Sequence, residues 1–313
     1  MSKIRIGIIG AGNIAEEHLK VLKNIKDFSL FGIVSRTQKK AKRLGKKFGI
    51  KKIFNSIDQM MKSNQLDGVL ILVSANNSFK VAKKVIPYQV PFFLEKPPGL
   101  SSLETKKLYN LTRKHITKNM IGLNRRFYSV FHQGMKIIKK HGKLLGILIE
   151  GHERFWLLKK KVKSVILKKW IFANSLHTID LLLFFGGKVK SISKFKKSYK
   201  EKKGDQFCSI IEFKNGTLGT YISNWYSPGR WSVKLFGEKV TVKFEPLETA
   251  SWINSKFKRK KITPNKYDQK FKPGFYRQML VFKKLIRNGQ LEWPAQSLKE
   301  VIDSTELVKK ISS

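Results

Sequence analysis

Over its first 120 residues the chain alternates short apolar runs with longer amphipathic ones. Runs of four to eight apolar residues bounded by turn formers read as buried strands, and stretches with a 3.6-residue apolar period read as helices. On that basis KIRIGIIG (3–10) is a first strand and NIAEEHLKVLKNI (13–25) a helix. FSLFGIVS (28–35) is a second strand, followed by helical QKKAKRLGKKFG (38–49) and a short KIF (52–54). LDGVLILVS (66–74) is a buried strand, SFKVAKKVI (78–86) a helix and VPFFLE (90–95) another strand. SLETKKLYNLTRKH (102–115) reads as a helix with a capping serine and Glu104 close behind. KNMIGLN (118–124) is a strand leading out of this region. Strand–helix alternation of this kind builds a parallel sheet flanked by helices.

The pattern then changes. SVFHQGMKIIKKH (129–141) is helical, LLGILIEGHERFW (144–156) is a long strand, and WIFANSLHTIDLLLFFGG (170–187) supplies another helix. Strand-like runs follow without helices between them, at 188–199, 206–213, 217–226, 230–238 and 240–246, and two helices close the chain at 275–289 and 297–312. Consecutive strands predict a mostly antiparallel sheet. The fold class expected is therefore α/β: a doubly wound parallel sheet over 1–120 and an α+β domain over 121–313.

With 313 residues there is enough chain for two cores, and 41% hydrophobic and 12% aromatic residues exclude wholesale disorder. No apolar run is long enough to cross a bilayer. The apolar start resembles a leader, but its alternation, its glycines and the acidic Glu16–Glu17 pair favour a strand and turn. A single cysteine, Cys208, excludes an internal disulfide framework and any cysteine-built metal site, so no metal is expected and the location is read as cytoplasmic. In its strand-like run Cys208 reads as a buried, inert thiol. The formal charge of +44 invites a nucleic-acid reading. However, 54 of the 65 basic residues are lysines, spread as pairs from end to end, and only 11 are arginines. That distribution favours solvated cationic faces over nucleic-acid binding, with attraction of anionic substrates as its by-product.

The strongest local signal is Gly10-Ala-Gly12-Asn13-Ile14-Ala15, a G-x-G-x-x-A after a strand and opening a helix. Gly10 permits the tight turn, Gly12 lets the backbone approach a pyrophosphate, and Ala15 permits close helix–strand packing. The helix N-terminus offers free N–H groups to the phosphates. Gly10, Gly12, Asn13 and Ile14 are thus candidate contacts of a dinucleotide in a Rossmann domain. At the end of the second strand, NAD readers place a carboxylate for the ribose 2′-hydroxyl. Here stand Ser35 and Arg36, which suit a 2′-phosphate, so NADP is favoured over NAD. The alternative is that Arg36 is one more surface cation, or stacks on adenine without selecting the phosphate.

IGIIGAGNIAEEH, LEKPPGLS, GLNRRFY and HTIDLLLFFGG are arranged as in the Gfo/Idh/MocA oxidoreductases, the glucose–fructose oxidoreductase and inositol dehydrogenase family, which the chain resembles over nearly its whole length. The resemblance implies a Rossmann domain followed by an α/β domain whose open sheet forms a homodimer or homotetramer interface. It implies hydride transfer between a nicotinamide cofactor and a sugar, polyol or sugar-nucleotide substrate. It places Lys96 in the active site, with Glu95 and Pro97 shaping the loop beside the cofactor. It also marks departures. The third strand end of the family runs Thr-Pro-Asn-x-x-His, where this chain has Ser74-Ala75-Asn76-Asn77-Ser78-Phe79, retaining Asn76. An aspartate four residues before the motif histidine is replaced by Ala173, with Asn174 beside it.

The residues argue in the same direction for Lys96. It ends a buried strand at the carboxyl edge of a parallel sheet, two prolines stiffen the loop after it, and its ammonium can stabilise charge on a reacting oxygen. The alternative is a lysine snorkelling out of a strand end. His177 is either a core histidine or the general base toward a substrate hydroxyl. If Asn174 or Ser175 caps its helix, it lies in the first turn, where the dipole keeps the imidazole neutral. Asn124 and Arg126 are candidate substrate contacts or else structural groups at the domain junction, and Asn174 joins the substrate set. Trp156 and Trp170 are candidates for a sugar-stacking wall, Arg154 for an anionic substrate group, and Asp180 for a helix anchor. The competing class is a cofactor-binding regulator or scaffold that has lost catalysis, motivated by Ala173 and the Asn-rich loop.

Overall fold

In a computed structural model that describes residues 2–313, the chain divides into two units, Met1–Asn124 with Lys270–Ile302, and Arg125–Gln269 with Asp303–Ser313. The strand–helix alternation of the first unit is realised as β1 (Ile4–Ile9), α1 (Asn13–Lys23), β2 (Phe28–Val34), α2 (Gln38–Phe48), β3 (Lys52–Phe54), α3 (Ile57–Met61), β4 (Gly68–Ile71), α4 (Ala75–Val85), β5 (Phe92–Glu95), α5 (Ser102–His115) and β6 (Asn119–Gly122). The six strands form one parallel sheet in the order β3-β2-β1-β4-β5-β6, with Ile8 level with Ile33 on one side and Leu70 on the other. Strands β4, β5 and β6 are buried at every position, as in a sheet covered on both faces. Strand order reverses between β1 and β4, so the carboxyl edge there is the crevice in which such sheets bind ligands.

The second unit starts with α6 (Ser129–His141), β7 (Leu144–Gly151) and two short turns of helix, α7 (Phe155–Leu158) and α8 (Ser164–Leu167). A π-type turn over Ile171–Ser175 then runs into α9 (Leu176–Gly186). Seven strands follow: β8 (Val189–Lys197), β9 (Gln206–Phe213), β10 (Leu218–Asn224), β11 (Trp231–Gly237), β12 (Val240–Phe244), β13 (Ala250–Asn254) and β14 (Arg259–Ile262). With β7 they make an eight-stranded sheet, β14-β13-β12-β11-β7-β10-β9-β8, antiparallel except for the β7–β10 pair. Along β9 the side chains of Phe207, Ser209, Ile211 and Phe213 are buried and their neighbours are not, the alternation of a sheet with one covered face. Helices α6 and α9 cover that face. Their meeting point is an aromatic cluster of Phe131, Phe184, Phe185 and Phe244, with ring centroids 4.8–6.3 Å apart. Each such buried ring contributes roughly 1.5–3 kcal/mol of transfer free energy. Gly134 lets α6 sit this close, since a Cβ there would come within 2.5 Å of Phe244.

Short α10 (Lys266–Lys270) precedes α11 (Phe275–Asn288) and α12 (Leu298–Ser312). Residues 270–302 pack into the first unit, where the amphipathic α11 lies against α1. The sequence division at residue 120 assigns them to the second domain instead, because strand–helix alternation says nothing about where a late helix buries its face. The β13–β14 hairpin is also absent from the strands that the apolar pattern predicts. Arg259, Lys260 and Lys261 leave β14 exposed at three of four positions, as befits a charged edge strand. Cys208 is only half-buried, on the uncovered side of β9, which corrects its reading as a buried thiol. No helix among the described residues is long and apolar enough to cross a membrane, and none of their acidic, histidine or cysteine side chains group to hold a metal.

Candidate functional site

In the first unit the candidate residues fall on one edge of the sheet, because each follows a strand. Ser35 follows β2, Gly10 follows β1, Ser74 lies beyond β4, and Lys96 follows β5, in the spatial order β2-β1-β4-β5. Gly10 has φ +112°, and a Cβ on it would sit 2.2 Å from the carbonyl oxygen of Leu72, so only glycine fits. Gly12 is different. Its backbone is extended (φ −86°), it caps α1 without any side-chain hydrogen bond, and nothing lies within 4 Å of where its Cβ would be. The space at Gly12 is therefore open, and the first N–H groups of a helix have no partner within it, the combination that suits a phosphate. Asn13 and Ile14 form the first residues of that helix.

Two more features fit a dinucleotide. The Oδ1 of Asn76, in the first turn of α4, is buried without a hydrogen-bond partner, an acceptor awaiting a donor. Arg36 is exposed with no carboxylate beside it, and the hydroxyl of the neighbouring Ser35 accepts only the N–H of Thr37, at 3.3 Å. The Ser74 hydroxyl takes the Asn77 amide at 2.8 Å. The residues present thus fit a nicotinamide dinucleotide, the pyrophosphate at Gly10–Ile14 and the adenosine ribose at Ser35–Arg36.

Glu95 is buried at the end of β5, where one oxygen accepts from His18 Nε2 at 2.7 Å and the other from the N–H of Lys96 at 3.2 Å. His18 comes from α1 and is fully buried, its ring against Phe93 and Phe275. The sequence reading missed His18, although its spacing three residues beyond Ala15 sets it on the face of α1 that meets the sheet. Asn124 is buried and donates to the carbonyl of Pro273 at 3.1 Å, which makes it a structural group that fastens the 270–302 segment.

The second unit holds a cavity of about 660 Å³ at the end of its sheet where β7 and β12 finish and β11 begins. Its lining includes Glu153, Arg154, Trp170, Asn174, Arg230 and Trp231. Of the two tryptophans that the sequence suggests, Trp170 lines the cavity and Trp156 does not, while Trp231 lines it as well. His177 is buried with its ring 6.2 Å from that of Trp231. Its helix does not begin at a cap. Ser175 has helical backbone (φ −66°, ψ −15°) and no capping bond, and the Leu176 N–H reaches back five residues to Ile171. The first-turn dipole argument for a neutral His177 therefore fails, since helical turns extend well ahead of it.

That π-type turn has a consequence for the site. It presents Asn174 and Ser175 to Glu153, whose carboxylate accepts from the Asn174 amide at 3.2 Å and the Ser175 hydroxyl at 3.0 Å. Glu153 is only 5% exposed, so the cavity carries a nearly buried carboxylate beside the histidine helix. Ala173 is itself buried. Below it, Thr178 meets the phenol of Tyr221 at 3.4 Å, and burial pushes that phenol up to about 12. Glu153 escaped the sequence reading because it lies in a strand-end loop 21 and 22 residues before its partners. Arg126 also needs correction as a substrate contact. It is buried in a bidentate pair with Asp180, at 2.7 and 2.8 Å, and Ser304 adds a further bond to the same carboxylate at 2.6 Å. Asp180 is a helix anchor, as expected, and Arg126 is what it anchors to.

Residues 4–123 match the model of the Gfo/Idh/MocA family, described as an oxidoreductase family with an NAD-binding Rossmann fold. The chain is 27% identical over 124 residues to myo-inositol 2-dehydrogenase of Thermotoga maritima, covering 40% of this chain and 37% of that one. It is 28% identical over 160 residues to glucose-6-phosphate 3-dehydrogenase of Bacillus subtilis, covering 50% and 45%. The matches thus span less than half the length of these two relatives. An oxidoreductase from Agrobacterium radiobacter, solved with NAD+, L-tartaric acid and magnesium, superposes with a TM-score of 0.82 at 15% identity over 98% of this chain and 95% of that one. Residues 4–123, with the Rossmann sheet and its G-x-G-x-x-A turn, are thus similar to the Gfo/Idh/MocA oxidoreductases, a match over less than half of this chain.

Proposed function

We propose that the protein is an NAD(P)-dependent oxidoreductase that interconverts a secondary alcohol and a carbonyl on a sugar, polyol or sugar-nucleotide, with NADP favoured over NAD. The observation that carries this reading is the open space at Gly12 before α1, on the same sheet edge as the Glu95–Lys96 strand end with β4 between them. The bound nicotinamide would supply hydride acceptance and donation. The chain's own work is proton handling and orientation. Glu95, held by His18, fixes the backbone at Lys96, whose ammonium hydrogen-bonds the reacting oxygen and stabilises charge on it. His177 takes the hydroxyl proton in oxidation and returns it in reduction. Glu153, bonded to Asn174 and Ser175 just ahead of His177, is the carboxylate that would take the part Ala173 cannot. That carboxylate speaks for an enzyme over a catalytically lapsed regulator, and the inositol and glucose-6-phosphate dehydrogenases among the relatives speak for a sugar-like substrate.

The same reading includes a homodimer or homotetramer in the cytoplasm. Phe195, Ile210, Leu218 and Phe236 share the uncovered face of the second sheet and are 39–73% exposed, a surface suited to a second copy. The test is Lys96→Ala, His177→Ala and Glu153→Gln, with NADPH and NADH binding followed by fluorescence separately from turnover on a panel of sugars, polyols and sugar nucleotides. The reading requires cofactor binding in all three and a turnover loss of about 10²-fold or more in the first two. Unchanged turnover in both, or no cofactor binding by the parent protein, overturns it.

A further inference from the structure

Arginine is rare in this chain, 11 residues against 54 lysines, so a general need for positive surface is met by lysine. Three of the eleven nevertheless gather at the cavity of the second unit. Arg154 and Arg230 line it, and Arg125 lies over the ring of its Trp231 wall, the guanidinium carbon 4.5 Å from the centroid. Most other arginines have an evident structural employment, such as Arg5 with Asp67, Arg43 with Glu16, Arg126 with Asp180 and Arg287 with Asp27. Arg154 and Arg230 have none: among the described residues no carboxylate or carbonyl receives either guanidinium.

The lining also carries two carboxylates, Glu153 and Glu248, but among the described residues neither pairs with Arg154 or Arg230. Glu153 is turned to Asn174 and Ser175, and Glu248 takes the hydroxyl of Tyr128 at 3.2 Å. His152 accepts the N–H of Asn224 on its Nδ1 at 3.1 Å, so its remaining ring nitrogen is free only to donate. Two uncommitted planar forks on one cavity, between indole walls, match a ligand with an anionic group at one end and a ring to stack at the other. A volume of about 660 Å³ accommodates a sugar with such a substituent.

We propose that this cavity is selective for anionic sugars, with Arg154 and Arg230 binding a carboxylate or phosphate substituent remote from the reacting carbon. This rests on the oxidoreductase reading above for its reaction, but the binding preference is separable from it. The probes are D-glucose, D-glucuronate and D-glucose 6-phosphate, titrated calorimetrically into the protein with and without saturating NADPH, at low and high salt. At least one anionic sugar should bind about tenfold or more tightly than glucose, with the advantage shrinking in salt. Which of the two gains identifies carboxylate or phosphate as the preferred group. Arg154→Ala and Arg230→Ala should each reduce the preference, and the double variant should abolish it. Lys160→Ala/Lys161→Ala, which removes two exposed lysines nearby in sequence, should retain it. Circular dichroism verifies the fold of each variant. Equal affinity for the three sugars, no sugar binding, or a preference that survives in the double variant overturns the proposal. Failure of NADPH to bind overturns the oxidoreductase reading alone, because the sugar titrations without cofactor remain readable.

Discussion

His18 and Glu95 form a buried pair 2.7 Å apart that ties the first helix of the Rossmann sheet to the strand end carrying Lys96. One bond thus couples the helix that opens at the G-x-G-x-x-A turn to the strand end that leads into the two prolines. His18→Ala leaves a carboxylate buried without its donor, which should destabilise the protein by about 3 kcal/mol in urea titrations. His18→Gln, which keeps a donor near the same place, should recover part of that loss. Equal stability of the alanine variant and the parent would show that the pair carries nothing.

The two glycines of the turn should separate fold from binding. Gly12→Ala adds a methyl group to open space at an ordinary φ, so its melting curve should match the parent within about 0.5 kcal/mol. Its affinity for the dinucleotide should fall about tenfold or more, because the methyl occupies the phosphate approach. Gly10→Ala meets the Leu72 carbonyl at 2.2 Å and should fail to fold stably. Intact NADPH binding in Gly12→Ala would argue against a dinucleotide at this turn.

Arg36→Ala should raise the dissociation constant for NADPH about tenfold and leave that for NADH unchanged. Ser35→Asp should reverse the order, since a carboxylate there pairs with the ribose hydroxyl and repels the 2′-phosphate. Parallel losses for both cofactors in Arg36→Ala would mean that it stacks on adenine without reading the phosphate.

Much of this was legible in the chain, and the exceptions have physical reasons. The parallel sheet could be read because buried strands and amphipathic helices leave different periods, and the turn at Gly10–Ala15 because glycine is placed by backbone geometry. The Glu153 network could not, since it depends on a π-type turn that rotates Asn174 and Ser175 relative to a regular helix. Nor could the fate of Arg126, as nothing local distinguishes a substrate-facing arginine from one paired 54 residues away with Asp180.

That buried pair predicts an asymmetry. Arg126→Met should cost about 3–5 kcal/mol, because Asp180 is left charged and enclosed. Arg126→Met/Asp180→Leu should recover most of it, as both charges leave together. Additive losses in the double variant, measured by chemical denaturation, would contradict the pairing.

Asp27 offers a pH-dependent readout. Its carboxyl is held below the usual carboxylate range, first by the hydrogen bond from Lys283 and then by the charges of Lys283 and Arg287 on α11. A depressed folded value means that the contribution is present above the unfolded value of about 4 and is lost as the pH falls through the folded one. Asp27→Asn should therefore melt below the parent at neutral pH, with the gap closing as the pH falls through the lowered folded value. A gap independent of pH would assign the effect to packing.

The return of residues 270–302 to the first unit bears on how the protein is made. Phe275 stacks on His18, and Asn124 holds the carbonyl of Pro273, so the Rossmann unit is finished by residues that leave the ribosome some 150 positions after its last sheet strand. During synthesis the nascent sheet must wait, with the apolar side of α1 uncovered, while the whole second unit emerges. Completion of the first unit is therefore a late event in the life of each molecule, and products of premature termination before α11 are marked for chaperones or proteases by the surface that they leave bare.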